Sequence, residues 1–192
     1  MKAIGISGSP RKNGNTEFIT GHILKAIEEE GHQTELIRMA GLDIRPCNAC
    51  MACLKEETCP IRDDLLPIYH RMKEADAVIL ATPVYCGSAT GLMKCLMERT
   101  SYISSHNGRP FEGKVGGPYV VTRRSSDYFT QSQLNFWFHV QGFFMPGSLH
   151  PNIAFGRYKG DVENDQEGLD TAWKFGQNIA FLADKIATQV PD

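Results

Sequence analysis

KAIGISGSPRKNGNT, residues 2–16, is a short apolar run followed at once by a loop of glycine and polar residues. The run Lys2–Ser7 predicts a buried strand that ends before Gly8. Apolar residues then recur at helical spacing from Phe18 to about residue 30, where Gly31 acts as a stop signal. A strand, a glycine-containing loop and a helix in this order predict the first unit of an α/β fold with a parallel sheet.

The rest of the chain continues this alternation of strands and helices. Apolar runs predict the strands, and apolar residues at three- and four-residue spacing predict the helices. The later strands are predicted at Thr34–Met39, Asp76–Thr82, Val115–Thr122 and Phe143–Ser148, and the later helices begin at Asp63 or Asp64, at Gly91, at Thr130 and at Leu169. This order indicates a doubly wound, five-stranded parallel sheet in one domain over residues 1–192.

Length, charge and hydropathy limit the classes of function. A chain of 192 residues suits one domain, and its formal net charge of −2 argues against a nucleic-acid partner. No apolar stretch approaches the roughly 18 residues of a membrane span, and the first residues lack the pattern of a secretory signal. We therefore expect a cytoplasmic protein, with no membrane partner, whose cysteines stay reduced.

The loop after the first predicted strand carries donors for a phosphate group. In an open α/β sheet, ligands bind beyond the carboxyl ends of the strands. Ser9, Asn15 and Thr16 offer hydroxyl and amide donors, and Arg11 adds a positive charge at the start of a helix. The loop lacks the sequence signatures of nucleoside-triphosphate sites and of dinucleotide sites, so it suits a ligand with a single phosphate monoester. The same residue types would also serve an ordinary surface turn.

Two more polar loops are predicted at the same edge of the sheet. The loop at residues 82–88 combines backbone donors, the ring of Tyr85 and a small tip, which suits the rim of a planar heterocycle. The loop at residues 122–125 adds Arg123 and Arg124. Three such loops predict a binding crevice at the point where the strand order reverses. A plain strand-to-helix connection is the alternative interpretation of the second loop.

Four of the six cysteines lie between residues 47 and 59, in the pattern Cys-x-x-Cys-x-x-Cys-x5-Cys, and Pro60 follows them. Thiols so close in sequence can converge on one inorganic centre at little loop-closure cost. Compact runs of this kind that end in Cys-Pro are typical of iron–sulfur ligation. A four-thiolate zinc site, a redox pair at Cys47 and Cys50, and structural thiols are alternatives that the spacing leaves open.

These motifs, in this order, resemble the flavodoxin-like NAD(P)H-dependent FMN reductases, and among them the iron–sulfur flavoprotein branch. The later segment, from Asn152–Arg157 through Gly168 and Leu169 to Gly176, is similar too, so the resemblance covers nearly the whole chain. It implies a flavodoxin-like domain with strand order 2-1-3-4-5 and a cysteine-rich cluster loop at residues 45–63, after the second strand. It also implies a homodimer or homotetramer.

The resemblance further implies the cofactors and the residues that hold them. The FMN phosphate would contact Ser9, Arg11, Asn15 and Thr16. The isoalloxazine would lie against the second loop and be closed in by the third, which together contribute Pro83, Val84, Tyr85, Cys86, Gly87, Ser88, Thr122, Arg123 and Arg124. A 4Fe-4S cluster would be held by Cys47, Cys50, Cys53 and Cys59. Relatives commonly carry an aromatic or bulky residue at position 86, where this chain has Cys.

We therefore expect an electron-transfer oxidoreductase that couples a one-electron iron–sulfur cluster to two-electron flavin chemistry. A ferredoxin-type carrier is the expected partner, and NAD(P)H is a second candidate reductant. No catalytic side chain is expected, because no acid, base or nucleophile arrangement stands out. The alternatives are an NAD(P)H-dependent FMN or quinone reductase without a cluster, and a non-catalytic flavin-binding carrier or redox sensor.

Overall fold

A computed structural model describes residues 1–187 of the chain. Residues 188–192, which the predicted domain includes, lie outside the described residues. Strands and α-helices alternate in the order β1 (Lys2–Ser7), α1 (Asn15–Glu29), β2 (Gln33–Arg38), α2 (Leu65–Glu74), β3 (Ala77–Pro83), α3 (Gly91–His106), β4 (Val115–Thr122), α4 (Asp127–Gln141), β5 (Ile153–Phe155) and α5 (Gln166–Ala187). Short 3-10 turns occur at Ala52–Leu54 and Asp161–Asn164.

The strands form one parallel sheet in the order β2-β1-β3-β4-β5. The register places Ile4 of β1 opposite Glu35 of β2 on one side and Val78 of β3 on the other. The chain therefore moves outward from β1 to β2 and then crosses back to β3, so the loops after β1 and β3 separate at the carboxyl edge. The flavodoxin-like fold and the strand order predicted from the resemblance are confirmed.

Helices cover both faces of the sheet. Ile4 and Ile6 of β1 pack in a core with α2, α3 and α4, whereas Ala3 packs in a second core with α1 and α5. Because both faces are covered, β3 is apolar along almost its whole length rather than alternating with polar residues. No helix within residues 1–187 is long and apolar enough to cross a membrane.

The prediction of the fifth strand at Phe143–Ser148 was wrong. Only Phe144 in that segment pairs with the sheet, through an isolated parallel bridge to Val115 at the amino end of β4. Phe143 is buried among the aromatic rings of the α4 face, which explains the apolar composition of the segment. The true fifth strand, Ile153–Phe155, pairs with the carboxyl half of β4.

Candidate functional site

The loop between β1 and α1 is shaped by side-chain hydrogen bonds to its own backbone. The hydroxyl of Ser9 accepts from the amide of Arg11 at 3.1 Å, and the amide of Asn13 donates to the Glu17 carboxylate at 2.7 Å. Glu17 is also paired with Arg38, which compensates its negative charge beside the first turn of α1. The helix N-terminus and Arg11 therefore give this loop a field that favours an anion.

The loop after β3 ends in a tight two-residue turn. The amides of Tyr85 and Ser88 each donate to the other's carbonyl, at 2.9 and 3.1 Å. Cys86 and Gly87 between them have φ values of 49° and 77°, as the central residues of a type I′ turn require. The hydroxyl of Ser88 donates to the side-chain carbonyl of Gln133 at 2.8 Å. Gln133 of α4, which the sequence did not single out, thus anchors this turn.

The loops meet at a cleft of about 160 Å³ beyond the carboxyl edge of the sheet. Three of its lining residues are arginines and none is a carboxylate, so its field favours an anionic ligand. The lining residues are Ser9, Arg11, Asn15, Thr16, Pro83, Val84, Tyr85, Val121, Arg123, Gly156 and Arg157. All the predicted phosphate-loop residues and four of the nine predicted flavin contacts are thus brought together.

Five other predicted flavin contacts do not line this cleft. They lie at the tip of the second loop and in the third loop, and they are Cys86, Gly87, Ser88, Thr122 and Arg124. The buried hydroxyl of Thr122 donates to the carbonyl of Ser125 at 3.0 Å, so it shapes the third loop from within. Arg124 is exposed. Their contact with a bound flavin stays a prediction.

Asn15 positions the loop that follows β5. Its side-chain amide donates to the carbonyl of Tyr158 at 2.7 Å, and its side-chain oxygen accepts from the amide of Gly160 at 2.8 Å. Gly156 permits this approach, because a Cβ added there would lie 2.6 Å from the Asn15 amide nitrogen. One consequence is that Arg157 reaches the cleft, a residue absent from the predicted site.

The wrong position of the fifth strand explains why Gly156 and Arg157 were missed. Ligands bind at loops that follow the carboxyl ends of strands, and the predicted fifth strand ends at Ser148, well before Gly156. With β5 at Ile153–Phe155, Gly156 and Arg157 are the first residues beyond its carboxyl end. The same topological rule would then have included them.

The cysteine-rich loop surrounds a second cavity, of about 380 Å³. All four cysteines of the motif line it, as free thiols, against α3. Burial raises the pKa of the Cys53 thiol; a backbone hydrogen bond opposes this shift, and the charges of Cys47, Cys50 and Cys59 add to it. Within residues 1–187, no three His, Cys, Asp or Glu side chains are grouped as a single metal ion requires.

Arg99, which lines this cavity, forms a buried ion pair with Asp63. Burial alone would raise the pKa of Asp63, but hydrogen bonds from Arg99 and from the amides of Arg45 and Leu65 outweigh it and leave the pKa below its usual range. Arg99 also donates to the sulfur of Cys59 at 3.2 Å. Asp63 thereby ties the two ends of the cysteine loop to α3.

The donor set of this cavity fits an iron–sulfur cluster. Four thiols line one space, as cluster ligation requires, and a positively charged donor already contacts one of the sulfurs. The remaining wall is largely apolar and includes Met51, Tyr102 and Ile103. Cys86 and Cys95 do not line the cavity.

A parallel sheet in the order 2-1-3-4-5, with its cleft beyond the carboxyl edge, defines the flavodoxin-like class. The structure of RosB with a bound 8-demethyl-8-formylriboflavin-5′-phosphate intermediate is similar, with a TM-score of 0.75, 19% identity, and coverage of 98% of this chain and 81% of RosB. A flavodoxin from the domain Archaea has a TM-score of 0.64 and 16% identity, covering 96% and 99% of the two chains.

Sequence comparison narrows this class to one family. The model of the NADPH-dependent FMN reductase family matches residues 1–156, and the chain belongs to this family. An iron–sulfur flavoprotein of Methanocaldococcus jannaschii is 38% identical over 94% of this chain and 96% of its own length. One of Methanosarcina thermophila is 34% identical over 97% of both chains. The protein is therefore a flavin-dependent oxidoreductase, as the resemblance implied.

Proposed function

We propose that the protein is an FMN-dependent electron-transfer oxidoreductase in which a 4Fe-4S cluster on Cys47, Cys50, Cys53 and Cys59 is coupled to FMN. The observation that carries the proposal is that these four cysteines line one cavity. It is supported by relatives named iron–sulfur flavoproteins that match nearly the whole chain. A flavin exchanges two electrons together or singly, and a cluster carries one, so the two cofactors join two-electron and one-electron chemistry.

The protein's own residues bind and orient the FMN. Ser9, Arg11 and Thr16 hold the phosphate at the start of α1, where backbone N–H groups add to the positive field. Arg123 and Arg157 supply further charge from the opposite loops of the same cleft. The isoalloxazine lies against Pro83–Ser88, with Thr122 and Arg124 beside it. The single phosphate loop, which lacks a dinucleotide signature, supports FMN rather than a dinucleotide flavin.

The flavin site is tested by the double variant Arg11→Ala, Thr16→Ala. Loss of the charge and of the hydroxyl donor should release flavin, measured as the flavin absorbance that remains with the protein after gel filtration. Lys12→Ala is the matched control, because Lys12 is an exposed cation of the same loop that does not line the cleft. Full FMN occupancy in the double variant would show that the phosphate site lies elsewhere.

The cluster is tested by metal and sulfide analysis of anaerobically purified protein. We expect about four iron and four acid-labile sulfide per chain, as a four-cysteine cubane site holds. Cys53→Ser should lose both and keep FMN, because the two cofactors occupy different cavities. Cys95→Ser, outside the cavity, is the control and should keep its iron. Stoichiometric zinc without sulfide would falsify the cluster and favour the zinc alternative.

The proposed electron route runs between a ferredoxin-type carrier, the cluster and FMN, in a cytoplasmic homodimer or homotetramer. Arg45, Lys55 and Arg62 on the cysteine loop would meet an acidic carrier, although Glu56 and Asp64 oppose them. A second candidate is an NAD(P)H-dependent FMN or quinone reductase without a cluster, which the family itself favours. The two candidates differ in whether single electrons reach the flavin through the cysteine cavity.

A further inference from the structure

Arg99 occupies a core position on α3. Leu96 and Ile103, three residues before it and four after it, are buried on the same face of the helix, and Arg99 itself is only 2% exposed. A guanidinium is almost never buried to this extent without partners that satisfy its charge and its donors. Its environment therefore shows what the side chain is used for.

Four of the five N–H donors of Arg99 have partners. The Nη1 group donates to the carbonyl of Arg45 at 3.1 Å and to the carboxylate of Asp63. The Nη2 group donates to Asp63 at 3.1 Å and to the sulfur of Cys59 at 3.2 Å. The fifth donor, Nε, is buried without a hydrogen-bond partner among the described residues. Because Nε has almost no accessible surface, a group in the neighbouring cavity does not reach it, and the four paired donors define the role of the side chain.

We propose that Arg99 positions Cys59 and tunes the cluster through the hydrogen bond that Nη2 donates to the Cys59 sulfur. This inference rests on the proposed function. Arg99 lines the cysteine cavity, and the sulfur that accepts from Nη2 belongs to Cys59, one of the four proposed cluster ligands.

The position of Cys59 explains why it needs a fixed partner. It is separated from Cys53 by five residues, whereas the other three cysteines follow one another at three-residue steps. Arg99 joins Cys59 to Arg45 and Asp63, the two ends of the cysteine loop, and connects all of them to α3. The fourth ligand is thus held by α3 instead of by the short steps of the motif.

The direction of the electronic effect follows from charge. Reduction adds a negative charge to a cluster, and hydrogen bonds to its sulfurs stabilise that charge and raise the reduction potential. The Arg99–Asp63 pair has no net charge, but its positively charged guanidinium is the group that contacts the Cys59 sulfur. Arg99 therefore makes the cluster easier to reduce.

The test compares a double variant, Arg99→Gln with Asp63→Asn, to wild type and to Lys94→Gln. The double variant removes both buried charges, so no carboxylate is left unpaired in the core. Lys94→Gln is the matched control, because Lys94 is an exposed cation of α3. Measurements are iron and sulfide content, circular dichroism, the cluster potential from a dithionite titration, and exchangeable-proton couplings in the EPR signal of the reduced cluster.

At a fixed applied potential, we expect the ratio of oxidised to reduced cluster to be at least tenfold higher in the double variant than in wild type. For a one-electron couple, a tenfold change corresponds to a reduction potential lower by 59 mV. We also expect the double variant to lose an exchangeable-proton coupling. Iron loss with unchanged circular dichroism, confined to the double variant, would equally support the positioning role. A retained cluster with the potential and couplings of Lys94→Gln would overturn the inference. Absence of iron and sulfide from wild type would instead refute the proposed function.

Discussion

Cys86 adopts a left-handed backbone conformation, which is unfavourable for residues other than glycine. Its φ of 49° is followed by 77° at Gly87, in the turn between Tyr85 and Ser88. The left-handed conformation costs an ordinary residue about 1–2 kcal/mol, and Asn is preferred at this turn position. Cys86→Asn should therefore raise the free energy of unfolding by about 0.5–1 kcal/mol in urea denaturation.

Cys86→Ala is the control for that substitution, because Ala removes the thiol without the turn preference of Asn. An Asn variant no more stable than the Ala variant would argue against strain at this turn. Both variants should keep the iron of wild type, since Cys86 lies outside the cysteine cavity. Both should alter the flavin spectrum if Cys86 borders the flavin as proposed.

Tyr119 is a buried residue of β4 whose hydroxyl donates to the carbonyl of Gly168 in α5 at 2.7 Å. Burial raises the pKa of this hydroxyl far above its usual range, so it stays a protonated donor at any working pH. Tyr119→Phe should lower the free energy of unfolding by about 1–3 kcal/mol, because the carbonyl loses a buried partner. Tyr128→Phe, at a residue 64% exposed, should stay within about 0.5 kcal/mol of wild type. Equal urea midpoints for the two variants would contradict this role.

Residue types in the sequence predicted most of the cleft but not the buried partner of the cysteines. Ser9, Arg11 and Thr16 were identified because their loop follows a strand and opens a helix, a local pattern. Arg99 was missed because its partners, Cys59 and Asp63, are distant in sequence. The signal was present, however, as a charged residue at an apolar position of a helix.

Among the elements, α1 and α5 pack so closely that one contact depends on a glycine. A Cβ added at Gly176 of α5 would lie 2.5 Å from the carbonyl oxygen of Ile23 in α1. Gly176→Ala should lower the free energy of unfolding by about 1–3 kcal/mol, the usual range for overpacking. At Gly21, apart from its chain neighbours and the backbone of α1 itself, no atom lies within 4 Å of the added Cβ. Gly21→Ala should stabilise the protein by about 0.5–1 kcal/mol through helix propensity.

Thermal unfolding followed by circular dichroism distinguishes these two glycine variants. We expect opposite shifts of the melting temperature for the same chemical change, a lower value for Gly176→Ala and a higher value for Gly21→Ala. Shifts of the same sign would show that the close approach of α1 and α5 does not limit the space at Gly176.

Most elements could be predicted because their apolar patterns are long. β3 is a continuous apolar run, and α5 repeats apolar residues over several turns. β5 could not be predicted, because a strand of three residues is too short to show a period. The segment Phe143–Ser148 is more apolar than β5, but its apolar residues either pack in the core or lie exposed on the surface. One misplaced strand then removed Gly156 and Arg157 from the predicted site.

At the scale of the whole molecule, the outward face of α4 supports the proposed self-association. Phe129, Phe136 and Val140 lie at seven- and four-residue spacing and are 64%, 69% and 38% exposed. Phe136→Glu should convert the oligomer to a smaller species, measured by size-exclusion chromatography with light scattering. Phe181→Glu, at an exposed residue of α5, is the control and should keep the wild-type mass. An unchanged mass in Phe136→Glu would exclude this face as the interface.

Anaerobic rapid mixing tests the coupling of cluster and flavin most directly. Reduced ferredoxin is mixed with wild type and with Cys53→Ser, both loaded with FMN, and flavin absorbance is followed; NADPH replaces ferredoxin in a parallel series. We expect rapid flavin reduction by ferredoxin in wild type and much slower reduction in Cys53→Ser. Equal ferredoxin rates in the two proteins, with NADPH reducing both flavins at turnover-competent rates, would contradict the coupling and establish the reductase without a cluster.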